Sequence, residues 1–195
     1  MNFYSIAPFI QEFYPQYYSI ETYPVDGCAA FSKINNEWGI FSNYGRTPIV
    51  LDGVTFNNSE RLFQLMKFRD EEPVLKVYNA NNPKYTAKHW EKTYRRADWG
   101  KMIVDAMKFC LTKKYEQNEN FRQELERSRD LFIVEDQSTF SKKNPDTWGV
   151  KRNGDFFKGP NLMGRLLMEL RYNNGRLDYK LPDDALHFLS FLKQI

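Results

Sequence analysis

The segment from Asp98 to Tyr115 constrains the fold most, because it predicts a long helix that must be buried along one side. Asp98 is a residue type that caps helix starts, and apolar residues follow it at helical spacing. The predicted buried stripe consists of Ile103, Met107, Cys110 and Leu111. A chain of 195 residues is long enough to pack such a helix into a sizeable core without disulfide bonds.

The remaining pattern predicts an α+β chain that is mainly helical, with a small β-hairpin on its N-terminal side. Asp52-Gly53 stands between two apolar runs, which is a strong hairpin signal. Residues 131–134 predict a strand, and residues 136–158 predict a long loop. Asp183-Asp184 is expected to cap a last amphipathic helix. In this last helix, the residues expected to face inward are Leu186, Leu189, Phe191 and Leu192. Further helices are predicted at 57–68, 72–80, 84–94, 118–127 and 160–171.

We expect one main domain with two extensions. Residues 1–32 are rich in Tyr, Phe and Pro and poor in charge, and they predict an N-terminal arm. Residues 33–175 form the predicted domain. Residues 176–195 predict a C-terminal helical extension that packs on it.

Composition argues against several classes of protein. The net charge of +3 is too small to indicate nucleic-acid binding by itself. Two cysteines at long separation and two histidines predict neither a disulfide framework nor a metal site. No basic segment precedes Lys33, and no apolar run is long enough to span a bilayer. We therefore expect a cytoplasmic protein with no membrane association.

A narrow polar stripe on the helix predicted at 57–68 is the first candidate site. Glu60, Gln64 and Lys67 share one face between apolar residues, which is typical of a stripe that points into a cavity. The alternative is structural, because Asn57 and Glu60 have the spacing of a capping box and the other two side chains can be solvated.

Asp146 and Trp148 in the long loop form the second candidate. A carboxylate can stabilise a developing cation or activate water, and a nearby indole can stack on a base or sugar. Asp after Pro145 is also ordinary turn chemistry. Trp99, at the start of the long helix, is more typical of a core residue than of a ligand contact.

The third candidate is the helix start around Asn161, Gly164 and Arg165. Free N–H groups at a helix start bind anions, and Pro160 marks such a start. The alternative is that Gly164 only allows close packing of the helix.

The ordered series of these motifs resembles the NADAR (YbiA-like) family over about residues 38–172. Arg61-Leu62 departs from the His-Tyr that the family often has before Phe-Gln, and residues 70–84 resemble an insertion. The series comprises Phe41-Ser42-Asn43-Tyr44, Leu51-Asp52-Gly53, Ser59-Glu60, Phe63-Gln64, Lys67, Ala87-Lys88, Asp98-Trp99, Glu135, Asp146-Thr147-Trp148-Gly149, Gly159-Pro160-Asn161-Leu162-Met163-Gly164-Arg165, Leu167-Met168 and Arg171.

The resemblance implies a hydrolase for a ribose–nitrogen bond that needs no metal or redox cofactor. It assigns catalysis to Glu60 and Asp146, and it makes Lys67 the lysine that could form an imine with an opened sugar. The substrate-binding residues that it implies are Asn43, Gln64, Trp99, Trp148, Gly149, Asn161, Gly164 and Arg165.

The implied substrates are phosphorylated ribosyl or ADP-ribosyl compounds. They are either ribosylamino-pyrimidine intermediates of riboflavin synthesis or ADP-ribose on a nucleobase such as guanine, which includes ADP-ribosylated nucleic acid. Two other readings stay open at this point: a module that binds ADP-ribose without cleaving it, and a structural or nucleic-acid-associated protein. The sequence gives no oligomeric state.

Overall fold

The computed structural model describes residues 6–193, so residues 1–5 of the predicted arm and residues 194–195 of the predicted extension lie outside it. The helices are α1 (Ala7–Phe13), α2 (Ser59–Leu65), α3 (Glu71–Tyr78), α4 (Pro83–Tyr94), α5 (Trp99–Gln117), α6 (Glu119–Arg127), α7 (Leu162–Tyr172) and α8 (Leu189–Leu192). The strands are β1 (Glu21–Pro24), β2 (Cys28–Phe31), β3 (Ile49–Leu51), β4 (Val54–Phe56), β5 (Phe132–Glu135), β6 (Lys151–Asn153) and β7 (Phe156–Gly159).

The strands form three small sheets around a helical body, which confirms the predicted α+β, mainly helical class. β1, β7 and β6 form an antiparallel sheet in that order, and β2 pairs with β5 in parallel. β3 and β4 form the predicted hairpin. Asp52 and Gly53 both have positive φ angles in its turn, at 48° and 83°, as a two-residue hairpin turn requires.

The long helix α5 runs through the core, as its apolar stripe predicts. Met107, Cys110 and Leu111 are almost completely buried, and so is Ile103. The helix is covered by α1, α2, α6 and α7. Asp98 occupies its N-cap position, but its carboxylate accepts hydrogen bonds from Arg96 and not from the helix N–H groups.

Several predicted boundaries are wrong for local reasons. α2 is capped by Asn58, not by Asn57, since the Asn58 side chain accepts from the backbone N–H of Arg61 at 3.0 Å. The same helix ends at Leu65, so Lys67 lies in the turn that follows it. α7 begins at Leu162, because Asn161 has a left-handed φ of 53°.

Two larger predictions need correction. Residues 136–158 are not a continuous loop, because β6 and most of β7 form an antiparallel hairpin inside that segment. The last helix is only Leu189–Leu192. Asp184 does not cap it, because the Asp184 carboxylate is held by Arg69 and Arg96.

Residues 21–31 are integrated into the sheets. β1 lies beside β7, and β2 lies beside β5 in a register that sets Phe31 opposite Glu135. The C-terminal ends of the parallel strands β2 and β5 therefore lie side by side, at the edge from which the chain enters residues 136–149.

Candidate active site

Glu60 lies in the first turn of α2 and is buried. The backbone N–H of Glu60 donates to the carbonyl of Asn43 at 3.0 Å. One carboxylate oxygen, Oε1, accepts from Nε2 of Gln64 at 2.7 Å, one helical turn later. The other carboxylate oxygen has no hydrogen-bond donor among residues 6–193, so Glu60 keeps one free lone-pair face.

Lys67 packs into a corner between α2, α4 and α5. Its Nζ lies 2.8 Å from Oε2 of Glu91 and 5.7 Å from the centre of a Trp99 ring. Burial lowers the pKa of Lys67, while the carboxylates of Glu91 and Glu60 act in the opposite direction. The net pKa of Lys67 is below that of a free lysine, so Lys67 loses its proton more readily than a free lysine does.

Asp146 is held by its neighbours in a defined orientation. Its Oδ1 accepts from Nε2 of Gln137 at 2.6 Å and from the backbone N–H of Trp148 at 2.9 Å. The Asp146 side chain reaches solvent, and Oδ2 has no donor within the described part of the chain. The carboxylate is therefore fixed through one oxygen and open through the other.

Glu135 is a further candidate, and it is not among the site residues predicted from sequence. It ends β5, and its backbone N–H donates to Oδ1 of Asn161 at 3.2 Å. Burial raises the pKa of Glu135 to about 7, the carboxylates of Asp146 and Glu60 add to this rise, and Lys84 opposes it. A carboxyl group with this pKa carries a proton for much of the time at neutral pH, as a general acid must.

Lys84, in the first turn of α4, is the second missed residue. Burial lowers its pKa, but the surrounding carboxylates of Glu60, Glu135 and Asp146 more than offset that effect and raise it. One ammonium thus interacts with three carboxylates from α2, β5 and the loop after β5. Lys84 and Asp146 are exposed to solvent, Glu135 is partly buried and Glu60 is buried, so this carboxylate cluster reaches from the interior to the surface.

A wall of three aromatic rings lies between Lys67, which is close to Trp99, and Asp146, which is bonded to the backbone of Trp148. The Phe63 ring lies 5.2 Å from the Trp99 ring and 5.8 Å from the Trp148 ring, measured between centroids. Trp99 is buried, whereas Trp148 is partly exposed. Trp148 therefore offers ring surface to a bound molecule, and Trp99 supports the wall from behind.

The structure does not bring Asn161, Gly164 and Arg165 into the cluster as anion ligands. The helix start that was predicted to bind an anion is occupied, because the N–H groups of Leu162 and Met163 donate to the carbonyls of Thr147 and Trp148. Arg165 donates to the Gln16 carbonyl at 2.6 Å and to Ser19 Oγ at 2.9 Å, so it holds the N-terminal segment.

Three of the predicted site residues have packing roles. Asn161 is fully buried and donates to the Ile133 carbonyl at 2.9 Å, which ties α7 to β5 beneath Glu135. A Cβ atom on Gly164 would lie 2.0 Å from that same carbonyl, and one on Gly149 would lie 2.5 Å from the Glu135 carbonyl. Both glycines allow backbones to approach closely around Glu135.

Asn43 also acts within the protein. Its Nδ2 donates to the sulfur of Met107 at 3.4 Å, and its Oδ1 accepts from Ser59 Oγ at 3.0 Å. With both amide atoms engaged and the residue buried, Asn43 fixes the start of α2. It contributes to the site through Glu60.

Two open depressions, of about 590 and 580 Å³, lie elsewhere on the surface. One is lined by α3 residues and the other by Asp52 and residues near α8, and neither contains a candidate catalytic residue. Within residues 6–193, no group of three His, Cys, Asp or Glu side chains is arranged to hold a metal ion. No helix in that range has the length and apolarity needed to cross a membrane.

Comparison with known proteins identifies close similarity to one family. Residues 30–173 match the model of the NADAR domain. The N-glycosidase YbiA of Escherichia coli (strain K12) is 32% identical over 143 residues, which are 72% of this chain and 84% of that protein. The N-glycosidase YbiA of Shigella boydii serotype 4 has the same identity and coverage.

A solved structure and a more distant relative extend this result. The NMR structure of the E. coli protein YbiA superposes with a TM-score of 0.61 at 29% identity, over 76% of this chain and 85% of that one. The riboflavin biosynthesis protein VVA0006 of Vibrio vulnificus is 26% identical over 166 residues, which are 84% of this chain and 42% of that protein.

Proposed function

This chain belongs to the NADAR domain family, and from that premise we propose that it is an N-glycosidase that hydrolyses a bond between a ribose carbon and a nitrogen. The observation that carries the proposal is the convergence of Glu60, Glu135 and Asp146 around Lys84, beside the partly exposed Trp148. Such a cluster has the charge that cleavage of an N-ribosyl bond requires.

The chemistry explains why carboxylates serve this reaction. As the C1′–N bond breaks, positive charge develops on C1′ and the bonding electron pair moves to the nitrogen. Nearby carboxylates stabilise that charge in a partly desolvated site. A donor must also protonate the departing nitrogen, and a water molecule must add to C1′ and lose a proton.

The geometry supports a division of these tasks. Glu135 is the proton donor, since its pKa of about 7 keeps it partly protonated at neutral pH. Asp146, whose Oδ1 is engaged by Gln137 and Trp148, accepts the proton from water through Oδ2. Glu60 stabilises the developing charge through the oxygen that Gln64 does not bind.

Lys67 offers a covalent route to the same products. A ribosylamine whose ring has opened is an imine, and attack by the neutral Lys67 amine on C1′ gives an aminal. Both N–H protons of that amine then pass to the original nitrogen, which leaves as an amine while C1′ becomes doubly bonded to Nζ. Water then hydrolyses the lysine imine, which releases the sugar aldehyde and regenerates the amine. The Glu91 partner of Lys67 can hold the proton that this exchange moves.

The substrate that fits is a ribosyl compound with a planar leaving group. The partly exposed Trp148 ring can stack on a base, and the polar side chains of the cluster suit the ribose hydroxyls. We assign a phosphorylated ribosyl or ADP-ribosyl substrate. The candidates are a ribosylamino-pyrimidine, in line with the name of the Vibrio relative, and ADP-ribose linked to a nucleobase such as guanine, free or in nucleic acid.

The second candidate function is an ADP-ribose-binding module without catalysis. It is favoured by one observation, the exposed part of Trp148, which a simple binder would also use. It does not account for the carboxylates of Asp146 and Glu60, which add to the effect of burial in raising the pKa of Glu135. Binding alone gains nothing from this arrangement, whereas stabilisation of a cation and donation of a proton both depend on it.

The test is to incubate the purified protein separately with a ribosylamino-pyrimidine phosphate, an ADP-ribosylated guanine nucleoside and an ADP-ribosylated oligonucleotide. Mass spectrometry then detects the released base and the ribosyl product. We expect turnover of at least one, and the substrate that reacts identifies the class. Tight binding with no product from any of the three would replace the proposal by the binding module.

A further inference from the structure

Lys114 is a fully buried lysine that the proposed chemistry does not use. It lies near the C-terminal end of α5, and its Nζ donates to the carbonyl of Ile40 at 2.6 Å and to that of Ser42 at 2.9 Å. Nζ also lies 4.5 Å from the centre of the Phe121 ring. No carboxylate within residues 6–193 forms an ion pair with it.

Burying an ammonium group without a counter-ion is costly. Burial accordingly lowers the pKa of Lys114 to about 7. The two carbonyl oxygens and the face of Phe121 are the groups that compensate. An apolar side chain in this position would avoid the desolvation cost, but it would leave the Ile40 carbonyl without the partner that Lys114 provides.

The residue that follows Ser42 connects this contact to the candidate site. The Asn43 carbonyl accepts from the backbone N–H of Glu60 at 3.0 Å, and Asn43 Oδ1 accepts from Ser59 Oγ at 3.0 Å. On its other side, Asn43 donates to Met107 of α5. The loop at Ile40–Asn43 is therefore held to α5 at two points seven residues apart, and it holds the first turn of α2.

We propose that Lys114 is a positioning residue for Glu60. Its ammonium fixes the backbone at Ile40–Ser42, so that Asn43 presents its carbonyl at the place that sets the first turn of α2 and the direction of the Glu60 carboxylate. The inference rests on the proposed role of Glu60 in cleavage. Lys114 itself touches no substrate, since its side chain is completely enclosed.

Its enclosed position also gives Lys114 a different role from that of Lys67. A lysine that forms an imine must meet the sugar, and only Lys67 of the two lies beside the site carboxylates. Reduction with borohydride during turnover therefore leaves Lys114 unmodified. Lys114 instead affects the position of the Glu60 carboxylate. Displacement of a catalytic group by about 1 Å costs about 100-fold in rate.

The experiment is a double-mutant cycle on whichever substrate the protein turns over. Lys114→Met should lower kcat about 10- to 100-fold with little change in KM, because ground-state contacts are kept and only the Glu60 geometry is lost. In the Glu60→Gln background, Lys114→Met should add less than about a 3-fold further loss, since there is no longer a carboxylate to position. Lys114→Arg, which keeps the charge and the N–H donors, should recover part of kcat.

Lys108→Met is the matched control. Lys108 lies on the same helix and is also buried, but its Nζ donates to the Asp178 carbonyl and pairs with Glu169, away from Glu60. It should lower thermal stability with no loss of kcat in the folded protein. Lys114→Gln, which keeps an N–H donor, replaces Lys114→Met under the same criteria if that variant does not fold.

Two results would overturn the inference. One is that the fold losses in kcat from Lys114→Met and Glu60→Gln multiply in the double variant, which would mean that the two residues act independently. The other is that Lys108→Met and Lys114→Met lower kcat equally, which would reduce Lys114 to a general stabiliser. A fully active Glu60→Gln variant would instead refute the proposed role of Glu60, so the two failures are distinguishable.

Discussion

Gln137 holds Asp146 through both atoms of its side-chain amide. Its Nε2 donates to Asp146 Oδ1 at 2.6 Å, and its Oε1 accepts from the backbone N–H of Asp146 at 2.8 Å. Gln137 is buried, so its own side chain is held in place although Asp146 reaches solvent. The contact fixes the rotation of the carboxylate through Oδ1 and leaves Oδ2 without a donor among residues 6–193.

Replacing Gln137 by Ala should therefore impair catalysis more than binding. The Asp146 carboxylate would lose its strongest restraint, and we expect kcat to fall about 10- to 100-fold while KM changes little. Steady-state kinetics on the cleaved substrate measure this. Gln117→Ala is the matched control, because Gln117 makes the same two-point contact with the backbone of Val50 on the surface. Equal losses in the two variants would contradict a positioning role for Gln137.

Glu135 should set the basic limb of the pH–rate profile. Its protonated form is the active one, so activity should fall as the pH rises through its pKa of about 7. Glu135→Gln should lower kcat about 100-fold or more and remove that limb. A limb near pH 7 that persists in the variant would assign the titration to another group.

Glu135→Gln should make the protein more stable at high pH, although it makes the enzyme less active. Because the folded pKa of Glu135 lies above its unfolded value of 4.5, folding favours the protonated form. The ionised form destabilises the fold as the pH rises from about 4.5 to 7. Glu135→Gln should thus gain about 1–3 kcal/mol over the parent at pH 8 and nothing at pH 4. Thermal unfolding followed by circular dichroism at both pH values checks this, and a gain at pH 4 would contradict it.

Lys67 should be trapped by borohydride if the covalent route operates. Reduction during turnover converts an imine into a stable secondary amine, and peptide mapping by mass spectrometry should locate it on Lys67. The lowered pKa of Lys67 favours this chemistry at neutral pH. No adduct should form without substrate. Continued turnover with no adduct would rule out the imine and leave direct attack by water.

Gly164→Ala should destabilise the fold at the contact between α7 and β5. The added Cβ would lie 2.0 Å from the Ile133 carbonyl, a backbone atom that cannot move alone, and we expect a loss of about 3 kcal/mol. Gly154→Ala is the comparison, since a Cβ there meets nothing within 4 Å and only the positive φ of 62° costs about 1 kcal/mol. Denaturant unfolding measures both. Equal losses would mean that close packing at Gly164 is unimportant.

Local signals in the sequence predicted much of the fold. The Asp52-Gly53 turn and the apolar stripe of α5 both depend on neighbouring residues, and both were predicted correctly. The β6–β7 hairpin was missed although Asn153-Gly154 is itself a hairpin signal, because β6 is short and polar. The pairing of β1 with β7 joins segments more than 130 residues apart, which no local pattern reports.

In the candidate site, too, the sequence predicted the residues with a local signal and not those that only the fold brings together. Glu60 and Gln64 were recognised because both lie on one turn of α2, where their spacing shows in the sequence. Glu135 and Lys84 were not, because their shifted pKa values arise from groups that only the folded chain brings near them. The sequence predicts an anion contact for Arg165 because no local pattern places the N-terminal segment, whose Gln16 carbonyl Arg165 binds.

The most direct measurement is the kcat of Glu60→Gln on the substrate that the protein cleaves. Glu60 should stabilise the charge that develops on C1′, so we predict a loss of about 100-fold or more with an unchanged melting temperature. Glu124→Gln, at the surface of α6, should retain full activity. A Glu60→Gln variant with the activity of the parent would contradict the account, because the carboxylate cluster would then not perform the cleavage.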